Sequence, residues 1–157
     1  VELINGEIYQ MSPIKSLHAG TVNLLTAFLS QFNQSFIISI QNPVVIDQYS
    51  ESEPDIALLK TRADFYTESN PTPKEILWII EVSDTTLRYD QTVKKELYAQ
   101  ANIPAYWIIN LVDYSIEVYQ EPKEDSYQQK ERYVLGDQVF LPLIHKKVEV
   151  NQFLIKV

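Results

Sequence analysis

The chain has no cysteine. Disulfides and thiolate metal sites are therefore excluded, and a reducing, cytoplasmic setting is favoured. Glycine is scarce: Gly6, Gly20 and Gly136 are the 3 present, so no glycine-rich phosphate loop can be built. No apolar run approaches the roughly 20 residues that span a bilayer, so no membrane is expected as a partner. No secretory signal is visible at the start. Val1 already stands inside a strand-like pattern, and residues before it are expected to be removed or missing. There is no His-x-x-x-His or Glu-x-x-His metal motif and no Gly-x-Ser-x-Gly elbow. Positive charge is short as well. Lys and Arg total 13 against 21 Asp and Glu, a net charge of -8. Proteins that hold nucleic acid by charge alone are usually basic, so simple tight binding is argued against.

What is present fits one globular domain over residues 1–157. A chain of this length buries about 70% of its unfolded surface and needs no staples. Glu2 to Tyr9 reads as two short strands around Asn5-Gly6, a type I′ signal. Pro13 separates them from a helix over Ser16–Gln34, with Leu17, Thr21, Leu24, Leu25, Phe28 and Phe32 at helical spacing. Ser35 to Asp47 predicts two strands broken near Asn42-Pro43. Tyr49 to Ser52 predicts a polar turn, and Pro54 to Lys60 a strand. Residues 61–75 form a loop with a short helix near Ala63–Tyr66.

Ile76 to Val82 is the most continuous apolar strand, as expected of a central one. Asp84 to Tyr89 is a loop, Asp90 caps a helix to about Ala101, and Pro104 to Leu111 is a strand. That order implies a right-handed parallel crossover. Ser115 to Gln120 starts a hairpin. Residues 121–132 are charged and expected to be mobile. Tyr133–Leu141 and Val148–Val157 complete an antiparallel edge.

Two acids stand out. Asp55 opens the run Ile56-Ala57-Leu58-Leu59, and Glu81 closes Ile76-Leu77-Trp78-Ile79-Ile80. A carboxylate beside buried strands is costly without a partner, and two together repel. Their acidic neighbourhood (Asp47, Glu51, Glu53, Asp84 and Asp90) deepens the problem. A hard divalent cation such as Mg2+ removes that cost. Lys94, a short helix later, adds a positive charge. Two carboxylates, a metal and a lysine are the parts needed to attack a phosphodiester. The bland readings are a turn aspartate, a glutamate leaving its strand, and an Asp90–Lys94 pair at i, i+4.

Glu2-Leu3-Ile4-Asn5-Gly6-Glu7, His18, Pro54-Asp55, Glu81-Val82-Ser83, Asp90…Lys94…Tyr98 and Pro104-Ala105-Tyr106-Trp107 occur in that order. The pattern resembles a bacterial restriction endonuclease family of the PD-(D/E)XK (restriction-endonuclease-like) nuclease superfamily. The resemblance covers about Glu2 to Asn110. It implies an α/β (α+β) fold: a mixed central sheet flanked by helices, with antiparallel hairpins at the edges. It implies metal ligands at Asp55 and Glu81, with the Val82 carbonyl as a third oxygen, for Mg2+ or Mn2+. It also brings Glu7 and His18 near the site. Ser83 departs from the superfamily pattern, because the usual lysine stands there. The resemblance implies that Lys94 replaces it.

The expected function is a metal-dependent endonuclease acting on nucleic acid, DNA first, as a homodimer where both strands are cut. The alternative is an inactive nuclease fold used as a binding or assembly module. Ser83 and the net charge of -8 speak for that alternative.

Overall fold

The computed structural model describes residues 1–32 and 35–156. Gln34 and Val157, the ends predicted for the first helix and the last strand, lie outside the described residues.

The chain opens with β1 (Glu2–Ile4) and β2 (Glu7–Tyr9). Asn5 and Gly6 both have positive φ, 50° and 82°, as a type I′ turn requires. Helix α1 (Ser16–Leu29) follows, then a 3-10 turn (Ser30–Phe32). Four strands come next: β3 (Ile37–Ile40), β4 (Val44–Asp47), β5 (Ser50–Ser52) and β6 (Ile56–Leu59). A 3-10 turn (Pro73–Glu75) leads into β7 (Ile76–Ser83). The next helical run has three parts: α2 (Leu87–Tyr89), a π turn (Asp90–Lys94) and α3 (Lys95–Gln100). Strands β8 (Ala105–Asn110), β9 (Ser115–Lys123), β10 (Ser126–Val134), β11 (Gln138–Phe140) and β12 (Lys147–Glu149) complete the set.

Six strands form the central sheet, in the order β10-β9-β8-β7-β6-β3. The β7–β8 pair is parallel and the others are antiparallel. The predicted crossover therefore exists, with the π-containing helical run as its connection. A second sheet, β2-β1-β5-β4, is antiparallel. This is the mixed sheet with helices and edge hairpins that the sequence pattern implied.

The inner strands β6, β7 and β8 are buried on both faces, which explains their continuous apolar runs. Side chains alternate between the faces. On one face Ile56, Leu58, Trp78, Ile80, Val82, Trp107 and Ile109 pack with Val22, Leu25 and Leu29 of α1. On the other, Ala57, Leu59, Ile79, Tyr106 and Ile108 pack with Leu97 and Tyr98 of α3 and Ile4 of β1. By this parity Glu81 shares the face of Ile79 and looks toward the helical run, not toward α1.

Four local expectations are corrected. Tyr49–Ser52 is no plain turn, since Ser50–Ser52 pairs with β1 and β4. Ala63–Tyr66 is not helical, because Phe65 and Tyr66 take left-handed φ values of 51° and 63° that no right-handed helix accommodates. The stretch 121–132 is ordered β structure, paired along the β9–β10 hairpin. Its charged residues hid it: β10 buries Tyr127 and leaves most of its length exposed. Lys130, Glu131 and Arg132 are the kind of charges that protect a free sheet edge. Finally, the helical run starts at Leu87, so Asp90 lies inside it and does not cap it.

Candidate active site

The site lies where β7 ends beside the start of β6, under the helical run. Glu81 is buried, 4% exposed, within β7 and not at its exit into solvent. Its Oε2 accepts the Asp55 main-chain N–H at 3.2 Å. Its Oε1 accepts Lys94 Nζ at 2.7 Å and the Tyr98 hydroxyl at 3.2 Å. Asp55 returns the contact, because its Oδ2 accepts the Val82 N–H at 2.8 Å. The two acids are thus tied to each other's strands through main-chain donors.

His18, on the first turns of α1, reaches the same carboxylate. Its Nε2 lies 3.1 Å from Asp55 Oδ2. Its Nδ1 is buried without a hydrogen-bond partner. A neutral ring with the proton on Nε2 leaves only an acceptor orphaned, the milder of the two costs. Gln41 Nε2 stands 3.5 Å from Asp55 Oδ1, a weak contact.

Lys94 is fully enclosed, 2% exposed. Besides Glu81 it pairs with Glu2 Oε1 at 2.7 Å and donates to the Tyr98 hydroxyl at 3.3 Å. Its three protons are thereby matched by three acceptors. The simple Asp90–Lys94 pair is not what holds it. Asp90 Oδ2 instead accepts the hydroxyls of Ser83 at 2.6 Å and Thr86 at 2.7 Å. Ser83, where the superfamily's lysine would stand, therefore braces an acid.

Asp90 and Lys94, four residues apart on the π turn, both face inward. Such turns are rare and concentrate at functional sites.

The structure does not bring Glu7 into this group. Its side chain is exposed, and it accepts the Tyr9 hydroxyl at 3.3 Å. The acid of that hairpin inside the site is Glu2, whose Oε1 also accepts the Glu53 N–H at 2.8 Å. Sequence reading missed it. The available signal was parity, since Glu2 shares a strand face with buried Ile4. Asp55, Glu81, Val82, Lys94 and His18 do converge. They line a cleft of ≈ 150 Å³ together with Glu2 and Asp90.

Charge is out of balance here. Glu2, Asp55, Glu81 and Asp90 bring four acids to one lysine and one histidine. Burial pushes the Glu81 carboxyl well above its ordinary range; Lys94 opposes this, and Asp55 and Asp90 add to it. Asp90 is raised for the same leading reason, burial. Burial also works against the Lys94 ammonium, but Glu81, Tyr98, Glu2 and Asp90 outweigh it and keep Lys94 charged. Asp55 goes the other way: His18, the Val82 N–H and Lys94 overcome burial and lower it. The hydrogen bond to Asp55 raises His18 against the effect of burial.

Among the described residues, no three His, Cys, Asp or Glu side chains converge as a ready-made metal cage. No described helix is long and apolar enough to cross a membrane.

Comparison with known proteins follows the same line. No curated protein matches the chain. Among solved structures, a putative nuclease of the DUF820 group from Anabaena variabilis ATCC 29413 shares the fold. It has 14% identity and a TM-score of 0.67, over 97% of this chain and 88% of that one. A family model described as "Putative restriction endonuclease" matches residues 1–152, and the chain belongs to that family, Uma2.

Proposed function

We propose that this chain is a divalent-metal-dependent endonuclease that hydrolyses phosphodiester bonds of DNA. The observation that carries the reading is the meeting of Asp55 and Glu81 in a cleft whose acids outnumber its cations. A divalent cation matches that excess in charge and in oxygen chemistry. Mg2+ commonly takes one or two carboxylates and completes its shell with water and substrate phosphate. Two carboxylates therefore suffice for it. Asp55, Glu81 and the Val82 carbonyl would be the protein's ligands.

Mg2+ or Mn2+ bound there supplies an acidified water and offsets charge on the scissile phosphate. The protein's own groups do the rest. His18 and the Val82 N–H fix the Asp55 carboxylate. Lys94 fixes Glu81 and offsets part of the local negative charge. The Tyr98 hydroxyl donates to Glu81 and helps hold it. Cutting both strands of a duplex would call on a second copy.

The inactive-module reading keeps one observation in its favour. Lys94 is saturated by Glu81, Glu2 and Tyr98, and Ser83 offers no second ammonium. Supercoiled plasmid at low salt separates the two readings. The protein is incubated with Mg2+, with Mn2+ and with chelator, beside Glu81→Ala. Metal-dependent nicking lost in the variant is expected. Cleavage surviving Glu81→Ala and Asp55→Ala would overturn the site, and no wild-type cleavage would favour the module.

A further inference from the structure

Six acids line the cleft: Glu2, Glu53, Asp55, Glu81, Asp84 and Asp90. Two ammonium groups stand against them, Lys15 and Lys94. Lys94 is buried and holds three acceptors at 2.7, 2.7 and 3.3 Å, so no proton remains for an incoming phosphate. Lys15 differs in every respect. Its side chain is 70% exposed at the cleft mouth. Its ion-pair partner is Asp84 Oδ2, at 4.0 Å and itself 43% exposed. Such a pair is worth little in water and is easily exchanged. Position adds to chemistry. Lys15 is the residue from which α1 starts, and His18 stands three residues on. Lys15 is extended in backbone, just outside the helix, and lines the same cleft as His18. His18 touches Asp55 and is 17% exposed, against 70% for Lys15, so His18 lies toward the acids and Lys15 toward the mouth.

We infer that Lys15 is a substrate-positioning residue, exchanging Asp84 for a backbone phosphate of nucleic acid beside the one cleaved. This rests on the nuclease reading of the same site. It also answers the net charge of -8, since entry is then governed by one mobile cation at the mouth and not by a basic surface. Lys15 does not touch the reacting atoms, so its loss acts on binding rather than on turnover.

The test measures labelled oligonucleotide binding by anisotropy with Ca2+ from low to moderate salt, and plasmid cleavage with Mg2+. Wild type is compared with Lys15→Ala, Lys15→Arg and Asp84→Asn. Expected for Lys15→Ala is roughly tenfold weaker binding, the loss of one charge-assisted contact. The slope of log K against log salt falls by about 0.9. KM rises while kcat holds. Lys15→Arg restores binding, and Asp84→Asn tightens it. If wild type binds and Lys15→Ala binds equally with the same salt slope, the inference fails while the nuclease reading stands. If wild type binds without cleaving and Lys15→Ala binds more weakly, the phosphate contact of Lys15 stands while the nuclease reading fails. If wild type neither binds nor cleaves, both fail.

Discussion

Two clusters in this molecule share one recipe: a single cation between two carboxylates. Lys94 stands between Glu81 and Glu2. Arg62 stands between Asp64 and Glu75, at 2.6 and 3.0 Å. Their surroundings make them opposites. Arg62 and its partners keep about a quarter of each side chain in water, and its guanidinium also covers the Tyr66 ring at 4.0 Å. Its hydrogen bonds hold Asp64 down at about 2, and the Thr72 N–H helps lower Glu75. Every charge there is satisfied, and the cluster ties the loop 61–75 together. Around Lys94 water is excluded and two further acids crowd in, so Glu81 and Asp90 are pushed up. An ion cluster whose acids are all lowered has what it needs. Around Lys94 burial raises Glu81 and Asp90 while Asp55 is lowered, and that split among neighbouring acids marks the site.

The contrast can be broken most forcefully at Lys94. Lys94→Ala leaves Glu81 and Glu2 buried against each other and should cost about 3–5 kcal/mol, read by urea unfolding. Combining it with Glu81→Gln should cost clearly less than the sum of the two single changes. Additive costs would mean that the pair is not coupled.

Next in size is the cation. Mg2+ at a hundred times its Kd should stabilise wild type by about 2.7 kcal/mol and Asp55→Ala hardly at all. Equal stabilisation of both proteins would put the metal elsewhere.

A smaller effect concerns pH, measured as thermal stability with chelator present. His18 is raised above 6.5, so its contribution is complete below 6.5 and lost as pH rises through the raised value. The raised Glu81 and Asp90 carry the same sign, with contributions fullest at acid pH. Metal-free protein should therefore weaken on the alkaline side, and His18→Gln should flatten the part above 6.5. A slope unchanged in His18→Gln would remove the Asp55–His18 pair as its source.

The smallest effect is expected at the satisfied cluster. Arg62→Ala should lower thermal stability only slightly and leave plasmid cleavage unchanged. A loss of cleavage there would tie the loop 61–75 to the site.

Much of this was legible in the chain. Asp55 and Glu81 announced themselves because a carboxylate beside Ile56 or Ile80 violates the apolar pattern. Lys94 did so because it shares a helix face with Leu97 and Tyr98. The central strands were legible for the same reason, since burial on both faces leaves an unbroken apolar run. Glu2 was not, because its place depends on β1 folding back to pair with β5, with Leu3 opposite Glu51. Glu7, next to the turn, looked equivalent until that pairing decided which end of the hairpin faces inward. The β10 strand was hidden by its charged exposed face. Asp90 read as a helix cap because nothing local shows that the helix begins three residues earlier.

The π turn over Asp90–Lys94 has one more consequence. It behaves as a helix carrying one residue too many, with the surplus wound in and not expelled. Removing one residue, for instance Thr92, would let the run rewind as ordinary α-helix. The turns on either side would keep their facing, because the π turn already absorbs the surplus locally. Asp90 and Lys94 would then stand three residues apart, a spacing that still shares one helix face. The surplus residue is thus an insertion the fold has taken up without cost to the site, and a relative one residue shorter here can keep both the fold and the chemistry.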